Sequence, residues 1–480
     1  MELKRKYRFN STHLFEKIWR NSIMLMSFSV QNFGSIGDMQ TLNLMTGKSR
    51  GKSNHLMPVY KKKALKFSSI YGGNASGKST LIRAIHYGKM VIQNGYMDKR
   101  FMSINKTNPN WKQKPSTFIY SVYINKKIYE YGFSLIWEQE RIIKEWLTET
   151  NSRGEKQVVF IRDFIGGQFD INFAQKLSDE TRNRVNIYFK DLTQEENNLF
   201  LKEINYKKGN LLEEPVMLFL HNIYIWFDTK LKFVYPNNDS DLGQYNFINY
   251  PENNDKLYEC LYRLDIPIDK MSYIDTTFEY AFKDTPKPIM EKIQNDIKSL
   301  YEREETKDKV PASFVLRLGD SYYIVEADSD GLAKIKTIVF SHHSFGNYEF
   351  SEESDGTKRI LELLEIITSP EKDVTYFVDE IDRSLHPLLT EQFISMYLNP
   401  EEVNFNQLII TTHESRLLNL KMLRKDEINF ISNKNGESHV MRFDEFESSD
   451  SRSDINIEMA YLSGRYHGIP HIIKPECSNK

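Results

Sequence analysis

The sequence has 480 residues, enough for two to four domains, and its 40% hydrophobic and 27% charged residues are typical of a globular protein. Its net charge of -2 excludes an overall basic character, although a local basic surface would not show in that total. Only two cysteines (Cys260 and Cys477), no membrane-length apolar run and no signal peptide indicate a cytoplasmic protein with neither a disulfide framework nor membrane contact.

The chain begins with a basic segment that is followed by a predicted hairpin. Residues 1–23 are either a short helical extension that binds a partner or a start-site artefact, with Met24 or Met26 as the natural beginning, and we favour the second interpretation. Residues 26–33 alternate between apolar and polar side chains, which predicts a strand, and residues 40–44 predict its hairpin partner.

A polar and basic segment, Arg50 to Lys66, comes next and is expected to be a loop. Its simplest interpretation is a solvated surface. The alternative is a contact with phosphate groups of a nucleotide or a nucleic acid.

Residues 67–80 combine an apolar run, a glycine-rich loop and the start of a helical pattern. The loop fits G-x-x-x-x-G-K-[ST], with Gly72, Gly77, Lys78 and Ser79 at the fixed positions. Such a loop points successive N–H groups at phosphate oxygens, and the following helix adds its positive dipole end. Lys78 is expected to reach the β- and γ-phosphates, and the Ser79 hydroxyl is expected to bind Mg²⁺. We therefore predict a nucleotide and Mg²⁺ as ligands.

The next part of the chain changes from strand-like to helix-like patterns. Residues 116–124, 127–136 and 142–147 are rich in β-branched and aromatic residues and predict antiparallel strands. Residues 151–311 predict a mainly helical insertion without a catalytic motif or a long coiled coil. Strand-like runs return after residue 311.

Two later strands end in candidate catalytic residues. Residues 374–378 form an apolar run that ends at Asp379 and Glu380. Asp379 is expected to hold Mg²⁺ at the edge of the sheet, and Glu380 to orient and deprotonate the attacking water. Residues 408–412 form another apolar strand that ends at His413, which is expected to bond the γ-phosphate or that water.

The segment Glu353-Ser-Asp-Gly-Thr357 precedes a helical pattern. Ser354 and Gly356 at a helix start are typical of an anion-binding site, but Ser354 is equally typical of an ordinary helix cap. The sequence leaves these two possibilities open.

The order of these motifs resembles the ABC-type ATPase heads of the SMC, Rad50, RecF and OLD group. Residues 353–357 are similar to their Leu-Ser-Gly-Gly-Gln signature, with Ser354 and Gly356 matching. Residues 384–387 lie where their D-loop lies, and His413 matches their switch histidine. Gln113 is the candidate for their Q-loop glutamine. This resemblance implies an α/β fold: an ABC-type head with a P-loop mixed sheet and an antiparallel β subdomain, interrupted by the helical insertion.

The implied domains are an extension (1–23), a first ATPase lobe (24–150), the insertion (151–311) and a second lobe (312–480). By position in the motifs, the implied nucleotide contacts are Gly72, Asn74, Gly77, Lys78, Ser79, Thr80, Ser354 and Gly356; the metal ligands are Ser79 and Asp379; the catalytic residues are Glu380 and His413.

Residues 460–470 are similar to an ending found in single-chain ATPases of bacterial anti-phage systems. These include the AbiL and RloA-like ATPases, the AriA subunit of PARIS and, more loosely, PtuA of Septu. The resemblance covers both ATPase lobes but not the insertion.

The resemblance implies a head-to-tail dimer that encloses two ATP molecules, because the signature of such heads acts on the nucleotide of the other copy. It further implies a phage-encoded trigger and a TOPRIM-type or HNH-type nuclease effector encoded separately, with DNA as another possible partner. The alternatives are a RecF-like or Rad50-like repair ATPase and, less favoured, the nucleotide-binding subunit of a transporter. An OLD-type nuclease domain is not expected after His413, and Asp328 and Asp330 are expected to lie in a solvated turn.

Overall fold

The computed structural model describes most of the chain. It describes residues 23–59, 62–95, 104–107, 109–150, 154–173, 177–206, 214, 217–236, 254–283, 285–288, 290–292, 294–295, 313–318, 321–327, 333–342, 346–399, 405–446 and 456–466. The basic extension up to residue 22, the Asp328–Asp330 turn and the last residues of the C-terminal motif lie outside these ranges. None of the helices among the described residues is long and apolar enough to span a membrane.

The chain divides into two compact units. The first takes its residues from 1–241, 371–382 and 394–480, and the second from 242–370 and 383–393. The domain ranges predicted from the sequence stay predictions, since they were placed by motif rather than by compactness.

The first unit contains a seven-stranded antiparallel sheet, with the strand order β10-β9-β8-β7-β6-β1-β2. Its strands are β1 (Met24–Gln31), β2 (Gln40–Asn43), β6 (Ser116–Ile124), β7 (Lys127–Ile136), β8 (Arg141–Thr150), β9 (Lys156–Asp163) and β10 (Gln168–Ile171). Burial alternates along β8, as expected when one face of a strand packs on a core. The predicted strands in residues 26–147 are confirmed, and β9 and β10 extend their sheet into the range that was predicted to be mainly helical.

A second sheet of the first unit has the order β11-β17-β18-β5-β19-β20. Its strands are β5 (Phe67–Tyr71), β11 (Leu231–Val234), β17 (Thr375–Val378), β18 (Gln407–Thr412), β19 (Ile428–Lys434) and β20 (Glu437–Arg442). All neighbours are parallel except β19 and β20. Every residue of β5, β17 and β18 is buried, including Ser68 and Ser69 of β5, which explains why their sequences lack the alternation of a half-exposed strand.

Helix α1 (Lys78–Asn94) lies in the hydrophobic core that both sheets share. Tyr120 of β6 donates a hydrogen bond to the Ile85 carbonyl over 2.8 Å. A Cβ at Gly88 would lie 2.0 Å from the Tyr120 hydroxyl, so only glycine allows this contact. The helix that starts at the glycine loop is therefore fixed from the side of the antiparallel sheet.

The other helices and a small hairpin complete the described elements. The remaining helices are α2 (Asp179–Asp191), α3 (Phe200–Asn205), α4 (Leu218–Ile225), α5 (Asn254–Arg263), α6 (Phe278–Ala281), α7 (Asp355–Thr368), α8 (Pro387–Tyr397) and α9 (Ile457–Leu462). The segment expected to be a loop, Arg50 to Lys66, instead contains the antiparallel strands β3 (Leu56–Val59) and β4 (Lys62–Leu65). That expectation was wrong because Met57, Val59 and Ala64 are buried between the charged residues.

The second unit contains a sheet with the order β12-β15-β14-β13, in which β16 also pairs with β15. Its strands are β12 (Lys270–Thr276), β13 (Ser313–Leu318), β14 (Ser321–Ala327), β15 (Ala333–His342) and β16 (Gly346–Glu349). The strands predicted after residue 311 are thus confirmed. The α/β fold class is also confirmed, with a mixed P-loop sheet, antiparallel β structure and helices between them.

Candidate active site

The glycine loop lies between β5 and α1, as the sequence predicts. Gly77 is the N-cap of α1 with φ 109°, a conformation that favours glycine. A Cβ at Gly72 would lie 2.5 Å from the Ile431 carbonyl oxygen, so this position also requires glycine. Asn74 is exposed, and Ser79 and Thr80 are half-buried in the first turn of the helix. The two glycines therefore allow the close backbone packing that brings the loop to the start of the helix.

Lys78 is held inside its own loop. Its Nζ donates hydrogen bonds to the carbonyl oxygens of Gly72, at 2.8 Å, and Gly73, at 3.1 Å. Burial lowers the pKa of Lys78 to about 8, and the charges of Asp379, Glu380 and Asp382 act in the opposite direction. An arriving phosphate would offer this ammonium group stronger, charged acceptors than the two carbonyls.

Ser76 provides an independent indication that the loop accepts a polar ligand. Its Oγ is buried and has no hydrogen-bond partner among the described residues, although the Ser76 carbonyl accepts a hydrogen bond from Ser438 Oγ over 2.6 Å. A buried hydroxyl without a partner costs free energy, which a ligand acceptor would recover.

The two carboxylates after β17 are connected to the neighbouring strand by one hydroxyl. Thr411 Oγ1, in β18, donates a hydrogen bond to Asp379 Oδ1 over 2.5 Å. The same oxygen accepts a hydrogen bond from the backbone N–H of Glu380 over 2.8 Å. Glu380 has φ 49°, an uncommon conformation for a residue with a side chain. Thr411, which the sequence did not mark, thus bonds both the Asp379 carboxylate and the backbone of Glu380.

Asp382 is a further acidic residue that sequence reasoning missed. Its two carboxylate oxygens lie 3.3 and 3.4 Å from the backbone nitrogen of His413 and accept its N–H. It therefore connects the segment after β17 to the segment after β18. The available signal was the spacing Asp-Glu-Ile-Asp, in which a third carboxylate follows Glu380 by two residues.

His413 lies within the electrostatic field of the other site residues. Partial burial lowers its pKa, and the positive charge of Lys78 lowers it further, whereas Asp382, Glu380 and Asp379 raise it. The net shift is downward, so the imidazole is mainly neutral at neutral pH and can both donate and accept a hydrogen bond. The structure thus brings Lys78, the acidic residues and His413 to one edge of one sheet.

In the second unit, Ser354 is the N-cap of α7, and its Oγ accepts a hydrogen bond from the Thr357 N–H over 3.1 Å. Gly356 lies in the first turn, where a Cβ would come within 3.0 Å of the Ser384 carbonyl oxygen. The cap geometry that the sequence allowed is present, while nucleotide contacts by Ser354 and Gly356 stay predictions. Gln113 ends a short 3-10 helix and is exposed, and its role as the Q-loop glutamine also stays a prediction.

The C-terminal motif packs beside the strand that leads into the glycine loop. Tyr461 of α9 makes an edge contact with Tyr71, the last residue of β5, with ring centroids 6.1 Å apart. Tyr461 and Tyr466 also stack on Phe430 of β19, at 5.5 and 4.8 Å. The described part of this motif therefore has a structural role next to the site.

The residues fit a Mg²⁺–nucleotide complex by their chemistry. The loop offers an ammonium group, the unpartnered Ser76 hydroxyl and a helix N-terminus for phosphate, while the Ser79 hydroxyl and the Asp379 carboxylate are suitable oxygen ligands for Mg²⁺. Among the described residues there is no group of three or more His, Cys, Asp or Glu that could hold a metal ion. Few protein ligands are typical of Mg²⁺ bound together with phosphates, and the metal ligands stay predictions.

One family model covers the part of the chain that contains these residues. The model of a family described as "AAA domain, putative AbiEii toxin, Type IV TA system" matches residues 67–419. No curated protein matches the chain.

Among solved structures, the chain is similar to three Smc heads. One is bound to the C-winged helix domain of ScpA (12% identity, 89% of this chain, 99% of that chain, TM-score 0.35). The second is a head with an extended coiled coil bound to the C-terminal domain of ScpA derived from Pyrococcus furiosus (13% identity, 87% of this chain, 96% of that chain, TM-score 0.37). The third is from Thermotoga maritima (13% identity, 87% of this chain, 98% of that chain, TM-score 0.31). Likenesses of this strength do not by themselves assign a fold or a function.

Proposed function

We propose that this chain is a nucleotide-driven switch. The premise is that it belongs to the family described as "AAA domain, putative AbiEii toxin, Type IV TA system". As an ABC-type AAA ATPase, it would bind ATP, dimerise around it and release the dimer on hydrolysis. Its role would be that of a sensor or scaffold in anti-phage defence, which controls a separately encoded nuclease-like effector.

The observation that carries the proposal is the convergence of three chain segments at one sheet edge. Strands β17, β18 and β5 are adjacent and parallel, so their carboxyl ends lie side by side. These ends lead to Asp379 and Glu380, to His413 and to the Lys78 loop, respectively. Ligands of parallel α/β sheets bind at this edge.

The chemistry follows from the residues present. Lys78 and the loop N–H groups would hold the phosphates, and Asp379 with Ser79 would hold Mg²⁺, which supplies charge neutralisation at the phosphates when bound. Glu380 would take a proton from the attacking water while the water oxygen bonds to the γ-phosphorus and the bond to the bridging oxygen breaks. The neutral His413 would donate a hydrogen bond to the phosphate or orient that water.

The dimer gives the signature segment its role in this proposal. Ser354 and Gly356 of one copy would contact the γ-phosphate that Lys78 of the other copy holds. ATP would then contribute binding free energy at the interface, which hydrolysis removes. The nuclease-like effector would be held or released as the chain alternates between the ATP-bound dimer and the separated copies.

Glu380→Gln tests the catalytic part. We expect retained ATP binding, an ATP-dependent dimer in analytical ultracentrifugation and at least about 100-fold slower hydrolysis. Lys78→Ala should lose ATP binding and therefore the dimer. Glu130→Gln, at a partly exposed position of β7 where Glu130 pairs with Lys156, is the matched control and should keep the wild-type rate. Wild-type turnover by Glu380→Gln would refute the assignment of the base.

Co-purification tests the biological part. We expect the product of the neighbouring gene to co-purify with the chain, more strongly with Glu380→Gln than with Lys78→Ala. The family description names a putative toxin of a toxin–antitoxin system, which favours controlled toxicity over DNA repair. ATPase activity that DNA stimulates strongly, with no partner co-purifying, would instead support the RecF-like or Rad50-like alternative.

A further inference from the structure

A basic cavity of about 340 Å³ lies in the first unit, apart from the candidate active site. Glycine and serine residues of the segment before β3 form much of its wall. Four of its ten lining residues are cationic and none is acidic; the cations are Arg50, Lys52, Lys63 and Arg424. A cavity with this lining favours an anionic ligand.

Arg424 makes the wall rigid. Its guanidinium is almost fully buried and donates to the Asp426 carboxylate from Nε, over 2.9 Å, and from Nη2, over 2.7 Å. It also donates to the carbonyl oxygens of Gly51 and, over 2.9 Å, of Ser49. Lys52 donates to the Leu420 carbonyl oxygen over 2.7 Å. These bonds fix the loop before a ligand arrives, which lowers the entropy cost of binding.

The other cations of the cavity are available for a ligand. In the part of the chain that the structure describes, the side chains of Arg50 and Lys63 form no ion pair or hydrogen bond, and the same holds for the exposed Lys48 and Lys62 beside them. Arg50 and Lys63 are themselves exposed at the surface of the cavity. Among the described residues, two cations without an ion pair therefore line the cavity and two more flank it, although the Asp444 carboxylate accepts the backbone N–H of Lys48 over 3.2 Å.

The cavity lies at the opposite end of the parallel sheet from the glycine loop. Arg424 precedes β19, and the first residue of β19, Ile428, pairs with Ser69 of the parallel strand β5. On the same side, Lys66, just before β5, donates its N–H to the His55 carbonyl over 2.9 Å. The glycine loop follows the other end of β5, roughly 15 Å away for a strand of this length. A ligand of the cavity is therefore not the nucleotide held by Lys78.

We propose that this cavity binds phosphate groups, supplied either by a nucleic-acid backbone or by a free polyphosphate. Arginine and lysine are the side chains that bind phosphate most strongly, and the fixed loop positions them in advance. Lys48 and Lys62 would contact the neighbouring phosphates of a longer ligand. The proposal is independent of the ATPase assignment, because none of these residues belongs to the candidate active site.

The test uses the full chain and two probes. Labelled single-stranded and duplex DNA of about 20 nucleotides are titrated in fluorescence anisotropy at several salt concentrations. Inorganic tripolyphosphate is titrated by calorimetry into protein that carries Lys78→Ala, so that the glycine loop does not compete. The variant is Arg50→Ala with Lys63→Ala. Its ATP binding without Lys78→Ala, and an unchanged urea denaturation midpoint in the Lys78→Ala background, show that it is folded.

The matched control is Arg182→Ala with Arg184→Ala, which removes two exposed cations of α2 outside the cavity. We expect the cavity variant to weaken binding at least about tenfold and to lower the salt slope by about two, while the control leaves both unchanged. A loss with DNA alone identifies a nucleic-acid backbone, and a loss with tripolyphosphate identifies a free polyphosphate. Equal binding by variant and control, or no binding of either probe by the unmodified cavity, overturns the proposal.

Discussion

Thr411 Oγ1 donates a hydrogen bond to Asp379 Oδ1 over 2.5 Å. Because the same oxygen accepts the Glu380 N–H over 2.8 Å, one buried hydroxyl in β18 positions two consecutive acidic residues that follow β17. The candidate metal ligand and the candidate base therefore depend on a residue that touches neither the phosphates nor the water in the proposed reaction. Thr411 is a positioning residue in this scheme.

Thr411→Val should slow ATP hydrolysis by at least about tenfold and lower the free energy of unfolding by about 1–3 kcal/mol, because it removes a buried donor to the Asp379 carboxylate and the hydroxyl that accepts the half-buried Glu380 N–H. Steady-state hydrolysis and urea denaturation measure the two effects. Thr411→Ser keeps the hydroxyl and should restore the rate to within about twofold.

The matched control is Thr412→Val, which removes an equally buried hydroxyl that accepts the Glu414 N–H over 2.9 Å instead. It should cost similar stability but keep the rate. A wild-type rate in Thr411→Val would show that the hydroxyl does not position the carboxylates.

Lys78 should make ATP affinity depend on pH. Its pKa is lowered to about 8 in the free protein, so the ammonium is mostly present at pH 7 and mostly lost at pH 9. Phosphate oxygens favour the charged form, so binding at pH 9 should take up nearly one proton and be about tenfold weaker than at pH 7. Calorimetry in buffers of different ionisation enthalpy measures both quantities.

Lys78→Arg supplies the comparison, because the arginine stays charged throughout this range. Its affinity should be independent of pH between 7 and 9, whatever its absolute value. The same tenfold loss in Lys78→Arg would assign the pH dependence to another group.

The fold of the first unit should depend strongly on one buried ion pair. Arg162 Nη1 and Glu145 Oε2 lie 2.6 Å apart, and neither side chain is exposed. Glu145 also accepts the N–H groups of Phe200 and Leu201 at the start of α3. Arg162→Met leaves this carboxylate buried without its cation and should lower the free energy of unfolding by about 3–5 kcal/mol, measured by urea denaturation.

The control for this prediction is a surface pair on the same two strands. Lys144 and Asp163 are 2.8 Å apart and partly exposed. Lys144→Met should therefore cost less than about 1 kcal/mol. Equal losses in the two variants would mean that burial does not determine the strength of these pairs.

The sequence was sufficient to predict the elements whose pattern is local. The strands β5, β17 and β18 and the glycine loop were all visible, because strands buried on both faces are rich in apolar residues and contain no charged ones. The class of fold followed from their order. The motif spacing then indicated which strand ends would lie together at the site.

Features that depend on distant partners were not predicted. Strand β11 has only four residues, and its partner strand is β17. The paired residues Leu231 and Thr375 are 144 positions apart, so no local pattern marks β11 as a strand. The roles of Asp382 and Thr411 arise only because their two strands lie side by side. The β3–β4 hairpin was not predicted because its strands have four residues each and include the exposed residues Pro58, Lys62 and Lys63.

The order of the strands in the P-loop sheet has a consequence for biosynthesis. The glycine loop is made early, but its neighbours β18 and β19 come more than 330 residues later, and Ser438 is needed for the bond to the Ser76 carbonyl. Contacts this distant in sequence cannot form on a ribosome that has made only the first half of the chain. A nascent or prematurely ended polypeptide would therefore carry the complete glycine motif and still be unable to assemble the site, so translation itself would delay the switch until the protein is nearly finished.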